Sequence, residues 1–151
     1  MLIYFAAPLF CQAEKAFNQQ LTEKIEQKGC KVFLPQRDGI DSTIPPYNGM
    51  TNDELSKAIF EIDQNKILKA DVFCIVLDGR VPDEGACVAL GIAYGQKHFL
   101  GQNKLLIGLQ TDNRAAFLNA KLNPMIHMAL DDLAVSESDL ISAIEEYRQG
   151  V

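Results

Sequence analysis

No stretch of this chain approaches the ~18 consecutive apolar residues that a membrane-spanning helix requires. The apolar opening MLIYFAAPLF has no basic residues ahead of it, and Pro8 with a polar helix beyond it argues against a signal peptide. Lysine and arginine form no cluster, and the net charge of −6 disfavours a surface for nucleic acid polymers. Cys11, Cys30, Cys74 and Cys87 show no CxxC spacing; they read as reduced thiols, mostly in the core, of a cytoplasmic protein. His98 and His127 have no partner at metal-ligand spacing, so no metal is expected. The glycines spell neither GxGxxG nor GxxxxGK[ST], which leaves a dinucleotide or triphosphate cradle unsupported, and no cofactor is expected. Internal repeats, low-complexity tracts and linkers are absent too. What remains is ordinary globular composition, 48% hydrophobic and 23% charged in 151 residues, enough for one domain over 1–151.

The apolar pattern alternates between strand and helix. Residues 2–6 (LIYFA) read as a short buried strand stopped by Pro8. Ala13, Ala16, Phe17, Leu21 and Ile25 recur at helical intervals from Gln12 to Lys28, and Gly29 sits where that helix should end. KVFLP, 31–35, reads as a second strand, followed by a polar loop over 36–50. Thr51 with Glu54 forms a capping-box pattern opening a helix to about Lys69, which carries Leu55, Ile59, Ile62 and Ile67. DVFCIVLDG, 71–79, is the continuous apolar run of a strand covered on both faces. A third helix follows from Asp83, then a strand at 104–110 (KLLIGLQ), and PMIHMAL, 124–130, is a candidate fifth strand. Ser136 with Asp139 can cap a last helix through Tyr147. This alternation predicts a single-domain α/β fold: a doubly wound parallel five-stranded sheet, flavodoxin-like or Rossmann-like, with helices on both faces. Ligands in such folds sit beyond the carboxyl ends of the strands, which directs attention to Gln36, Asp38, Asp78 and Asp83.

Three stretches carry a resemblance: YFAAPLF at the end of the first strand, Asp63 within a helix, and PDEGACVALG opening the third long helix. In this order they resemble the nucleoside 2-deoxyribosyltransferase family, over nearly the whole chain. The family's first strand reads approximately Y-x-A-G-P-x-F, and its third helix D-x-G-x-x-x-E-[LIV]-G. The resemblance implies that the Tyr4 hydroxyl orients a catalytic carboxylate and that Asp83 contacts and protonates the nucleobase. It implies that Asp63 lies near the sugar and its 5-hydroxyl. Gln36 falls where a base-contacting residue is often found, and Phe10 and Asp78 join it as substrate-binding candidates. Asn123 and Met125 match an N-x-M stretch that in the family reaches a neighbouring subunit's site, although Met128 offers a competing alignment. There are two departures: Ala7 stands for glycine before Pro8, and Ala89 stands where the family has its nucleophilic glutamate. Glu84 lies five residues before it, so on a helix it points elsewhere.

Base exchange on 2-deoxyribose breaks and remakes an N-glycosidic bond. A carboxylate attacks C1 through an oxocarbenium-like transition state and holds the sugar covalently, while an acid protonates the departing base. Taken alone, Tyr4 reads equally as strand core, Asp83 as a helix cap, and Asn123 and Met125 as loop and core residues. Asp63 is less ordinary, because it interrupts an apolar face between Ile59 and Ile67. The resemblance therefore implies a transferase acting on deoxynucleosides and free nucleobases, disabled at Ala89. That alanine is either a deliberate knockout or the mark of a natural non-catalytic relative; the retention of Tyr4, Asp63 and Asp83 favours the knockout. Hydrolysis of deoxynucleoside 5-monophosphates and non-catalytic nucleoside sensing are the alternatives. The polar loop from Gln110 to Asn123, turning apolar at Pro124–Met128, suits a homo-oligomer: a dimer, tetramer or hexamer in which Asn123 and Met125 complete a neighbour's site.

Overall fold

The structure is a computed structural model, and it describes residues 1–112 and 122–150. Five strands, β1 (Leu2–Ala6), β2 (Lys31–Phe33), β3 (Val72–Val76), β4 (Leu105–Leu109) and β5 (Asp132–Ala134), form one parallel sheet in the order β2-β1-β3-β4-β5. That order is the flavodoxin-like one, and it reverses direction between β1 and β3. The expected α/β class and five-stranded parallel sheet are those observed.

Alternation along the strands decides which helices cover which face. Ile3, Phe5, Val72, Cys74 and Val76 point to one side, where α1 (Gln12–Gln27) and the C-terminal helix α6 (Glu137–Gly150) pack with Leu21, Ile25, Leu140 and Ile144. Tyr4, Ala6, Phe73 and Ile75 point to the other, under α3 (Asn52–Lys69) and α4 (Glu84–Leu100). The helix ends follow the local signals. Thr51 and Glu54 close a reciprocal capping box, and Gly29 takes a positive φ of 81° just past α1. Ser136 Oγ accepts the Asp139 N–H at 3.1 Å, and α6 runs past Tyr147.

Two expectations about the elements need correction. The second strand ends at Phe33 rather than residue 35, because Pro35 opens a short helix, α2 (Pro35–Asp38). Proline lacks an N–H for the ladder but has the φ of a first helical turn. The same competition operates at 124–130. Pro124 and the N-cap Asn123, whose Oδ1 accepts the Met125 N–H at 2.8 Å, start the short helix α5 (Pro124–His127), and the fifth strand is Asp132–Ala134. The cysteines are all free, but Cys11 is not a core thiol: it is exposed and caps α1, its Sγ accepting the Glu14 N–H.

Candidate active site

The carboxyl ends of β1 and β3 border the reversal in strand order, and a cavity of about 500 Å³ opens there between the sheet and helices α3 and α4. Tyr4, Asp63, Asp83 and the methyl group of Ala89 all line it. These residues come from strand β1, the interior of α3, and the N-cap and second turn of α4. The rest of the wall is largely apolar, supplied by Leu9, Ile59, Phe60, Ile67 and Val88.

Tyr4 is held by its sheet neighbours. Register places it beside Phe33 on β2 and Phe73 on β3, and its ring stacks on both with centroids 5.6 Å apart. This three-ring row fixes the phenol and directs its hydroxyl at α3, where it interacts with the Asp63 carboxylate. Burial, and then the negative charge and hydrogen bonding of Asp63, push the Tyr4 hydroxyl far above the ordinary tyrosine range, so it stays a donor. Asp63 is half-buried, one helical turn from Ile59 and one from Ile67, so all three share a face. Burial raises its pKa above the ordinary carboxylate value, and the hydrogen bond with Tyr4 offsets part of that rise.

Asp83 is the N-cap of α4. Its Oδ1 accepts the Ala86 N–H at 2.7 Å, where the positive end of the helix dipole favours negative charge. One and a half turns on, Ala89 is buried against the sheet beside Ala86, Leu90 and Ala93. Glu84 is exposed and is not among the residues lining the cavity.

The remaining candidates lie elsewhere. Gln36 accepts from Asn18 Nδ2 at 3.0 Å and donates to the Lys15 carbonyl at 2.9 Å, tying α2 to α1. Asp38 accepts the Leu34 N–H and pairs with Arg37, and burial is outweighed by these contacts so that its pKa falls. Asp78 accepts the Thr111 and Asp112 N–H groups at 2.7 and 2.8 Å and so joins the loops after β3 and β4. Phe10 is 77% exposed, beyond the cavity wall that Ala7 and Leu9 help to form. Asn123 caps α5, and Met125, 82% exposed, lies beside Cys87, Leu90 and Tyr94 in a second, smaller cavity of about 340 Å³. Much of the loop from Gln110 to Asn123 lies outside the described residues.

Sequence reading missed the apolar wall. Ile59, read as part of an apolar helix face, is 44% exposed and Phe60 51%, and both line the cavity. The sequence shows the apolar residues of α3 but not their burial: in the fold Ile67 alone is fully covered. Among the described residues no group of three or more His, Cys, Asp or Glu could hold a metal ion, and no helix is long and apolar enough to cross a membrane.

Comparison with solved structures finds a conserved protein from Enterococcus faecalis V583, 28% identical, with 99% of this chain and 98% of that chain covered and a TM-score of 0.74. The 2-deoxyribosyltransferase of the psychrotolerant bacterium Bacillus psychrosaccharolyticus shares the fold at 21% identity and TM-score 0.69, covering 93% of this chain and 90% of its own. A CMP N-glycosidase of Clostridium botulinum, BcmB, shares it more distantly, at 18% identity and TM-score 0.57 over 97% and 99% of the two chains. Comparison with curated proteins gives no significant match. The family model described as nucleoside 2-deoxyribosyltransferase matches residues 3–141, and the chain therefore belongs to the nucleoside 2-deoxyribosyltransferase family.

Proposed function

We propose that this site is built to transfer 2-deoxyribose between the bases of deoxynucleosides through a covalent deoxyribosyl-carboxylate, and that Ala89 removes the nucleophile from this chain. The observation that carries the proposal is the convergence of Tyr4, Asp63, Asp83 and position 89 on one cavity. A glutamate at 89 would project into that cavity toward the sugar C1, near the phenol held by the aromatic row. Asp83 is assigned to the base, whose ring nitrogen must gain a proton on departure, and Asp63 to the sugar. The apolar wall, Ile59 and Phe60 above all, offers a surface for a planar base and keeps water from the reacting centre. The experiment is Ala89→Glu. The restored chain should exchange bases between a deoxynucleoside and a free base, at a rate several orders of magnitude above the present chain. If it binds deoxynucleosides but exchanges nothing, the transferase assignment fails.

A second reading, cleavage of nucleoside 5-monophosphates, has in its favour the fold shared with the CMP N-glycosidase. Against it, the described residues lining the cavity include two aspartates and no lysine or arginine, so a phosphate would meet like charge. Deoxyadenosine should bind more tightly than its monophosphate; the reverse order would favour the second reading. A sensor without chemistry is favoured only by Ala89 itself. It predicts that Ala89→Glu gains no exchange activity. Assembly belongs to the proposal as well: Asn123 and Met125 line no part of the cavity in their own chain, which supports their completing a neighbour's site in a homo-oligomer.

A further inference from the structure

We infer that the outer face of α4 is the seat of a second copy of this chain, and that the two copies meet with their α4 helices side by side, Gly91 at the crossing. The inference rests on the assembly reading above and deepens it, because it names the surface, the orientation and the residue at its centre.

Helices α1, α3 and α6 carry charged residues along their lengths, as surface helices do. α4 has none from Gly85 to Gln96, although Val88 and Gly91 are exposed on it. Uncovered apolar side chains continue on both flanks. On one flank Val88 lines the cavity with Ile59 and Phe60. On the other, Met125 and Met128 stand uncovered against Cys87 and Tyr94. With Phe99 and Leu100 at the helix end, these side chains expose roughly 700–900 Å², against the ~800 Å² per partner that a stable interface buries. A monomer seldom leaves so large an apolar patch open. Charge selects the occupant. Each copy carries a net charge of −6, so two copies approach only through a face free of acids, and 85–96 is such a stretch. A strongly charged partner or an anionic lipid headgroup finds no counter-charge along it.

Two glycines mark the centre of this face. A Cβ at Gly91 would meet nothing within 4 Å, and one at Gly95, a turn further on, only Phe99 Cδ2 at 3.6 Å. Packing within the chain therefore requires glycine at neither position, and each weakens the helix relative to alanine. A second helix laid against this turn accounts for them, because the two backbones can then approach closely. Orientation follows from what flanks α4. The cavity lies on one side, with Gly85, Val88 and Ile92 in its wall, and α5 on the other, against Cys87, Leu90 and Tyr94. A two-fold axis across the helices would set cavity against cavity and α5 against α5. An axis along them exchanges the sides and carries Met125 and Met128 of each copy over Val88, Ile59 and Phe60 of the other, so that projecting apolar groups meet a hollow twice in one dimer. Helices crossing at Gly91 diverge toward their ends, which separates the two Glu84 carboxylates.

The test follows association by analytical ultracentrifugation, and binding of deoxyadenosine and thymidine by equilibrium dialysis. It compares the present chain with Gly91→Ala and Gly91→Arg, each checked for native circular dichroism. The inference expects a dimer or a multiple of one, a dissociation constant about tenfold higher or more for Gly91→Ala, and a monomer for Gly91→Arg. Gly91→Arg should also bind deoxynucleoside at least ~10-fold more weakly, although Gly91 lines no part of the cavity in its own chain. Gln20→Arg, on the exposed side of α1, should change neither readout. For orientation, Val88→Cys, made with Cys11→Ser and Cys87→Ser, should be linked into a dimer by a short bis-maleimide, since only the axis along the helices holds the two 88 positions together. A monomeric present chain, association unmoved by Gly91→Arg, or a Gly91→Ala chain that associates as before and melts higher would each overturn the inference; the last is what alanine on a solvent-facing helix does. A dimer that the Val88→Cys link cannot join overturns the orientation. Full deoxynucleoside binding by a monomeric Gly91→Arg chain overturns the closing of one copy's cavity by the other and leaves the deoxynucleoside reading intact. Association as expected, with no form binding either deoxynucleoside, sinks that reading and leaves the interface standing.

Discussion

Asp63→Asn should make the protein more stable at neutral pH. The carboxylate sits half-buried on α3 with Ile59, Phe60 and Ile67 beside it, and its pKa is raised chiefly by burial. Between the ordinary carboxylate value of 3.8 and the raised folded value, the folded chain holds more protons than the unfolded one. Stability therefore falls as pH rises through that window, and the full penalty applies above it. Asparagine has nearly the same shape and keeps an oxygen that can accept from Tyr4, so the hydrogen bond survives in neutral form. Because the group remains partly open to solvent, the burial penalty must be discounted for screening. A net gain of about 0.5–1 kcal/mol is expected, at the low end of what single stabilising substitutions yield. For a chain of this size that is a rise in Tm of roughly 1–4 °C. Calorimetry or urea melts at about pH 7.5 should show the gain, and it should shrink toward nothing as pH falls through the folded and then the ordinary carboxylate pKa. A destabilised variant at neutral pH, or an advantage equally large in acid, would mean that Asp63 makes net favourable interactions, and the burial argument would be wrong.

Tyr4→Ala empties the row between Phe33 and Phe73 and should destabilise by about 3–5 kcal/mol, whereas Tyr4→Phe keeps the stacking and should cost about 1 kcal/mol; denaturant midpoints separate them. Lys104 is buried, its Nζ donating to the carbonyls of Ile67 and Ala70 at the end of α3, and burial pushes its pKa down to about 8. Above that value the unfolded chain holds more protons, so stability should climb between about pH 8 and pH 9.5 by roughly 1 kcal/mol or more, and Lys104→Met should abolish the slope. For assembly, Ala89→Glu chains that also carry Asn123→Ala should be impaired alone. Activity per glutamate should rise when they are mixed with an excess of the present chain; no rise despite subunit exchange would show that each site is complete within one chain.

What the sequence determined by itself was local. The capping box at Thr51 and Glu54, the stop at Gly29 and the continuous apolar run of β3 depend on groups a few residues apart, and each was legible. The misreadings were local contests with two plausible winners. At Pro35 and at Asn123–Pro124, a proline and a cap turned short apolar runs into helix, and apolar content alone does not distinguish helix from strand over so few residues. The candidate site was legible only as a set of positions. That Tyr4 reaches Asp63 depends on the register of β1 against β3 and on the packing of α3 across that face, contacts no spacing along the chain encodes. Gln36 and Asp78 show the converse. Polar residues at strand ends are candidates for ligand contact, and only the folded chain shows that Gln36 also bonds to α1 and Asp78 to the loop after β4. Helical periodicity marked Ile59 as one face of α3, yet only the tertiary structure decided that this face borders a cavity rather than a packed core, because the residues opposite it on α4 are as small as Ala86 and Ala89.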